Sequence, residues 1–112
     1  MMEIEKTVPE QDLAVLHCSG RLNMLAAPAL RAGIDQAVGE GQARVVIDLG
    51  QVSFIDSSGL GALVAGLKKA RQAGGNLRIA AAAEQVLTVL RLTNLDRVLR
   101  PHATVEDASH GW

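Results

Sequence analysis

Asp56, Ser57 and Ser58 stand together between two apolar runs, and they are the side chains in this sequence best placed to do polar chemistry. Ahead of them come Val45-Val46-Ile47-Asp48-Leu49 and Phe54-Ile55. Behind them comes Gly59, then an apolar stripe at Leu60, Leu63, Val64 and Leu67. A carboxylate or hydroxyl just before such a stripe is a helix-capping type, able to accept a hydrogen bond from an N–H of the first turn. Those first N–H groups have no partner within the helix, and the aligned peptide dipoles leave about half a positive charge there. The same position therefore accommodates an anion. A phosphate on serine adds about −1.5 to −2 charge and three strong acceptor oxygens. Two readings stay open: serines that only cap the helix, and a serine that accepts a phosphate without unfolding the chain.

The helix that follows carries unusual residues for a solvent-facing element. With Leu60, Leu63, Val64 and Leu67 turned inward, the opposite face holds Ser58, Ala62, Ala65 and Lys69. Gly61 and Gly66 fall on the flanks, and Ser57 falls near the core edge. Each glycine within a helix costs about 1 kcal/mol relative to alanine. Gly59, Gly61 and Gly66 thus call for either close packing inside the protein or a bare surface that a partner's backbone approaches. An exposed helix face ordinarily carries Glu, Lys and Gln. A docking surface over Asp56, Ser57, Ser58, Gly59, Gly61, Ala62 and Ala65 is the expectation.

Other reactive side chains do not assemble into a site. His17 and Cys18 are adjacent on a strand, so they point to opposite faces. His17, His102 and His110 show no metal-ligand spacing with one another or with Cys18. Serine hydrolysis needs a base and an orienting acid beside Ser57 or Ser58, and His102, in a late polar segment, is the one candidate base. Ser58-Gly59-Leu60-Gly61 lacks the lysine and the spacing of a phosphate-binding P-loop. No metal, cofactor or enzymatic activity is expected.

These residues must be positioned by a small α/β fold. Residues 45–49 read as a strand buried on both faces, because β-branched and aliphatic side chains run nearly unbroken. Residues 3–8 read as an edge strand, 9–12 as a turn, and 13–19 as a second strand hairpinned to the first. Gly20-Arg21-Leu22-Asn23 is a loop or short extension. Residues 26–38 are helical, with Leu30, Ile34, Ala37 and Val38 inward, Pro28 in the first turn and Gly39 at the end. Gly74-Gly75 ends the central helix, residues 77–81 form the next strand, and 84–92 form a third helix with Asn94 as its left-handed terminator. Residues 95–99 close the core with a turn and one strand pair. Thr104 and Asp107 suit the cap of a brief terminal helix, and 109–112 are expected to fray. The order predicts a mixed sheet of four to five strands with the main helices on one face, and a functional loop where a parallel strand feeds its helix.

Composition narrows the class. The 112 residues suit a single domain, with a core over about residues 1–100 and a polar segment over 101–112. Net charge is −1 with dispersed Lys and Arg, which argues against a nucleic-acid partner. No run approaches the roughly 18 apolar residues of a membrane span, and the start of the chain does not read as a signal peptide. The single cysteine suits a reducing cytoplasm.

The segment from Val45 through Phe54-Ile55-Asp56-Ser57-Ser58-Gly59-Leu60-Gly61 resembles the STAS-domain proteins, specifically the bacterial anti-sigma factor antagonists. The likeness extends to Gly20-Arg21-Leu22-Asn23, to Gly74-Gly75 and to Val86, Leu90, Thr93, Asn94 and Leu95, and so covers essentially the whole chain. It implies partner switching: the unmodified protein binds an anti-sigma factor serine kinase and frees the sigma factor. The kinase then phosphorylates the serine after the aspartate, here Ser57, and a PP2C-type phosphatase restores the active form. The resemblance also places Asn23 among the kinase-binding residues, and there the chain departs from the family, which usually has an aspartate at this position near the phosphorylated serine. Asparagine keeps the shape and loses the charge. A different class remains open, a non-signalling STAS interaction subunit of a lipid-transport or scaffold complex, in which the same face docks permanently and the serines are caps.

Overall fold

The computed structural model describes residues 2–112. Two strands, β1 (Glu3–Glu10) and β2 (Leu13–Leu22), form an antiparallel hairpin. Next come α1 (Ala27–Gly39), β3 (Arg44–Ile55), α2 (Ser57–Gln72), β4 (Asn76–Ala80), α3 (Glu84–Leu92), α4 (Asp96–Leu99), β5 (Pro101–His102) and α5 (Val105–Ala108). The sheet order is β1-β2-β3-β4-β5, and every pairing after the hairpin is parallel. Strands added in sequence along one direction, each by a right-handed crossover, place their connecting helices on the same face. The mixed sheet with its main helices on one face is thus as predicted.

Strand alternation builds two apolar layers. Leu16, Cys18, Val45, Ile47, Leu49, Leu77 and Ile79 point to the helices and pack with Leu30, Ile34, Leu63, Leu67, Val86, Leu90 and Leu99. Leu13, Val15, Val46 and Ala80 point the other way, to Ala108, with Val105 and Trp112 alongside. Val45, Val46, Ile47 and Leu49 are fully buried, as a strand covered on both faces requires. Helix α1 buries Ala27, Leu30, Ile34 and Ala37 at helical spacing, with Pro28 in its first turn. Val38, expected inward, is half-buried and packs against this core.

Three expectations need correction. First, β3 is longer than predicted, running to Ile55, while residues 20–22 take the strand-extension reading and carry β2 to Leu22; both strands run well beyond Ala80 of β4, which pairs with Asp48. The two strands project past the sheet as a ribbon with shifted register, and Arg21↔Phe54 and Leu22↔Ile55 pair at its tip. Second, residues 95–99 hold a helical turn, α4, and the strand pair falls later, on Pro101 and His102. Asn94 does take the left-handed conformation at φ 59°. Third, residues 109–112 are held and not frayed. Arg78, on the back of the sheet, donates from Nη1 to the Ala108 and His110 carbonyls and from Nη2 to the Gly111 carbonyl. Its guanidinium lies 4.1 Å from the Trp112 ring centroid, and Trp112 Nε1 donates to the Ser109 carbonyl at 2.9 Å. Thr104 caps α5 by accepting from the Asp107 N–H at 3.0 Å, as its spacing predicts.

Candidate functional site at the start of the second helix

The ribbon tip sets the site. Because Leu22 pairs with Ile55, the next residues, Asn23 and Asp56, leave the sheet side by side and open α1 and α2 together. The Asp56 N–H donates to the Leu22 carbonyl at 3.3 Å. Asp56 is the N-cap of α2 in extended conformation, and its Oδ1 accepts from the Gly59 N–H at 2.9 Å. Its Oδ2 accepts from the Met24 N–H at 3.1 Å, which ties the approach to α1 onto the start of α2. Asn23 works in parallel, its Oδ1 accepting from the Leu25 and Ala26 N–H groups, both at 3.1 Å. That duty needs one side-chain oxygen and no charge, which asparagine supplies.

With capping assigned to Asp56, the serines are released from it. Among the hydrogen bonds of the described residues, neither the Ser57 nor the Ser58 hydroxyl has a protein partner. Ser57 is exposed and not at the core edge as expected, and Ser58 is half-buried. The phase of α2 differs from the predicted one by about one residue. Gly59, Leu60, Ala62, Leu63, Gly66, Leu67 and Ala70 face inward, while Gly61, Val64 and Ala65 are half-buried and Lys68 and Lys69 exposed. Ala62, at 0% exposure, cannot belong to a docking surface, and neither can buried Gly59.

The glycines divide by what surrounds them. A Cβ on Gly59 would overlap the Leu22 carbonyl oxygen and come within 2.8 Å of Leu22 Cγ, so its absence lets the helix start seat on the ribbon. A Cβ on Gly66 would come within 2.5 Å of Ile34 Cδ1, so its absence lets α1 and α2 approach. Gly61 is different. Its nearest neighbour would be Arg31 Nη2 at 3.7 Å, an ordinary contact that packing within the chain does not require to be so bare.

Gly61 forms part of a shallow groove of about 390 Å³, with Met24, Pro28 and Arg31 of the α1 side facing Ser57, Ser58 and Gly61 of α2. Beside it Met24 and Leu25 are 68% and 85% exposed, two large apolar side chains on one loop. Sequence reading missed Met24, Leu25, Pro28 and Arg31. Their signal was present: Met24 and Leu25 precede the buried series of α1 and are out of phase with it.

Elsewhere the reactive residues are engaged or inert. His17 and Cys18 do point apart: the Cys18 thiol is buried in the helix-side core, and burial pushes its pKa up to about 12. His17 lies on the back of the sheet, with Nδ1 2.7 Å from Asp48 Oδ2 and Nε2 3.1 Å from Thr7 Oγ1, bridging three strands. His102 sits on β5, and burial, reinforced by the charge of Arg78, lowers its pKa and favours the neutral ring. Among the described residues no group of three His, Cys, Asp or Glu side chains is arranged to hold a metal ion, and no helix is long and apolar enough to cross a membrane.

The STAS domain pattern matches residues 3–108. Over 101 residues the chain is 32% identical to the anti-sigma-F factor antagonist RsfB of Mycobacterium tuberculosis, covering 88% of this chain and 80% of that one. Over 90 residues it is 30% identical to the anti-sigma-B factor antagonist of Bacillus subtilis, covering 80% and 81%. The crystal structure of an anti-sigma factor antagonist from Mycobacterium paratuberculosis superposes with a TM-score of 0.84 at 29% identity, covering 96% of this chain and 91% of that one.

Proposed function

The chain belongs to the STAS domain family, in the company of the anti-sigma factor antagonists, and on that premise we propose that it works as a partner switch controlled at Ser57. In the unmodified state the groove beside Ser57, with Met24 and Leu25 on its rim, receives an anti-sigma factor that is also a serine kinase. That kinase is thereby drawn away from its sigma factor. The observation that carries this reading is a free, exposed hydroxyl at the first position of α2, left uncommitted because Asp56 supplies the cap.

The chemistry is phosphoryl transfer on the kinase. Ser57 Oγ attacks the γ-phosphorus of ATP, the new O–P bond forms as the bond to ADP breaks, and the hydroxyl proton passes to a base on the kinase. The fold tolerates the product, because the helix start already favours negative charge. The complex does not. A dianion of about −1.5 to −2 charge placed at the groove must be desolvated against apolar Met24 and Leu25, and this opposes docking without a large change of shape. A PP2C-type phosphatase reverses the modification by hydrolysis. Partner, kinase and phosphatase are expected to meet the protein in the cytoplasm.

The face differs from the one read from the sequence. Asn23, Asp56 and Gly59 act as its scaffold, Ser57, Ser58, Gly61 and Ala65 contribute surface, and Ala62 drops out. A permanent, non-signalling subunit would use the serines as caps, and Asp56 fills that role here. Incubation with ATP and the cognate anti-sigma kinase, followed by mass spectrometry of the peptide spanning residues 56–68, tests the proposal. One phosphate on Ser57 is expected, and an unmodified Ser57 in the presence of active kinase would overturn it.

A further inference from the structure

Among the described residues Arg31 is the one cationic side chain lining the groove, and it reaches over from α1 to lie 3.7 Å from where a Cβ on Gly61 would stand. Ser57 precedes Gly61 by four residues, which puts both on one face of α2 with about 6 Å of axial separation. Among the described residues Arg31 takes part in no ion pair, although Asp35 follows one turn later in α1. The carboxylate nearest in sequence to Ser57, Asp56, has both oxygens engaged by the Gly59 and Met24 N–H groups. Arg31, Ser57 and Gly61 line the same groove.

We propose that Arg31 is the intramolecular counter-ion for a phosphate on Ser57, a positioning residue that draws the modified side chain across the groove between α1 and α2. The inference rests on the reading of Ser57 as the modified residue. A guanidinium offers a planar fork of N–H donors that matches two phosphate oxygens, and a phosphoserine is long enough to meet it after a change of rotamer. The result is a groove closed from within. Phosphorylation then acts on docking in two ways at once: it adds charge at the rim, and it withdraws from the partner the one cation the groove presents.

The test uses the full chain with phosphoserine genetically encoded at position 57, so that no kinase is required. The second ionisation of the phosphate is followed by 31P NMR in the otherwise unchanged chain and in Arg31→Gln, Arg31→Lys and Lys68→Gln variants. A cation near the phosphate favours its dianion, so Arg31→Gln is expected to raise that pKa by about half a unit. Arg31→Lys, which keeps the charge and loses the fork, raises it less. Lys68→Gln removes the same charge about 16 Å further along α2, beyond a screening length of about 8 Å, and leaves the pKa unchanged. An identical pKa with and without the Arg31→Gln substitution overturns the proposal, as does an equal shift from Lys68→Gln. The measurement involves no partner. Tight binding of the phosphorylated chain to the anti-sigma kinase would overturn the switching function and leave the Arg31 result standing, and the converse holds equally.

Discussion

Gly59 and Gly61 lie two positions apart in α2 and answer to different constraints. The first is forced by the Leu22 backbone beneath it, and the second faces the open groove. Gly59→Ala is expected to destabilise the fold by about 2–3 kcal/mol, because the added methyl overpacks a contact with a backbone that cannot move aside. Gly61→Ala has room and gains helix propensity, so it is expected to raise stability by up to about 1 kcal/mol. Urea unfolding of the two variants reads the opposite signs directly, and destabilisation by both would show that Gly61 too is held by packing. The sequence exposes the cluster of glycines and serines but not this division. Counting only large apolar residues puts the centre of the buried face at Leu60, Leu63, Val64 and Leu67. Glycine and alanine carry no weight in that count, yet Gly59, Ala62, Gly66 and Ala70 are the residues pressed against neighbours. Their smallness is the reason they face inward, and that is why the predicted face was rotated and Ala62 was misplaced.

At the scale of elements, the ribbon formed by the ends of β2 and β3 delivers two helix starts to one place. Asp56 fastens them, accepting one N–H from each side of the junction. Asp56→Ala therefore removes a cap and a cross-link together. Its expected cost is about 1–2 kcal/mol, measured as a lower urea midpoint with an unchanged slope. A change within about 0.5 kcal/mol would mean that the junction is held by packing alone. The turn itself was legible from its residue types, since a carboxylate before an apolar stripe is a cap signal whatever the surroundings. The ribbon was not. Val52 and Ile55, its buried residues, are three apart, and Gly50 followed by shifts of register breaks the period-two alternation that marks a strand. Elements of two to four residues, such as α4 and β5, carry too few positions for any period to show.

For the molecule as a whole, the sheet has two apolar faces of unequal extent, and the short C-terminal segment covers the smaller one. Trp112 stacks on Arg78 and has the Arg44 guanidinium 5.8 Å from its ring centroid. Trp112→Ala is expected to lower stability by about 1–2 kcal/mol through lost cation–π contact and burial. A shift inside about 0.5 kcal/mol would return residues 109–112 to the frayed state that their polar composition suggests. The closure of the back face was hidden from sequence reading because it depends on Arg78, a charged residue in a buried strand whose partners are carbonyls 30 residues away or more. By contrast, the hairpin, the mixed sheet and the single layer of main helices follow from the order of the elements and the handedness of their crossovers, and these were legible.

The proposed switch requires that an intact fold present or withdraw one docking face according to the state of Ser57. Calorimetric titration of the anti-sigma kinase with the unmodified chain, with Ser57→Ala and with the Ser57-phosphorylated chain tests it most directly. Binding of Ser57→Ala within about twofold of the unmodified chain is predicted, together with at least about a hundredfold loss for the phosphorylated form. Equal affinity for the phosphorylated and unmodified chains would rule out control of docking at Ser57.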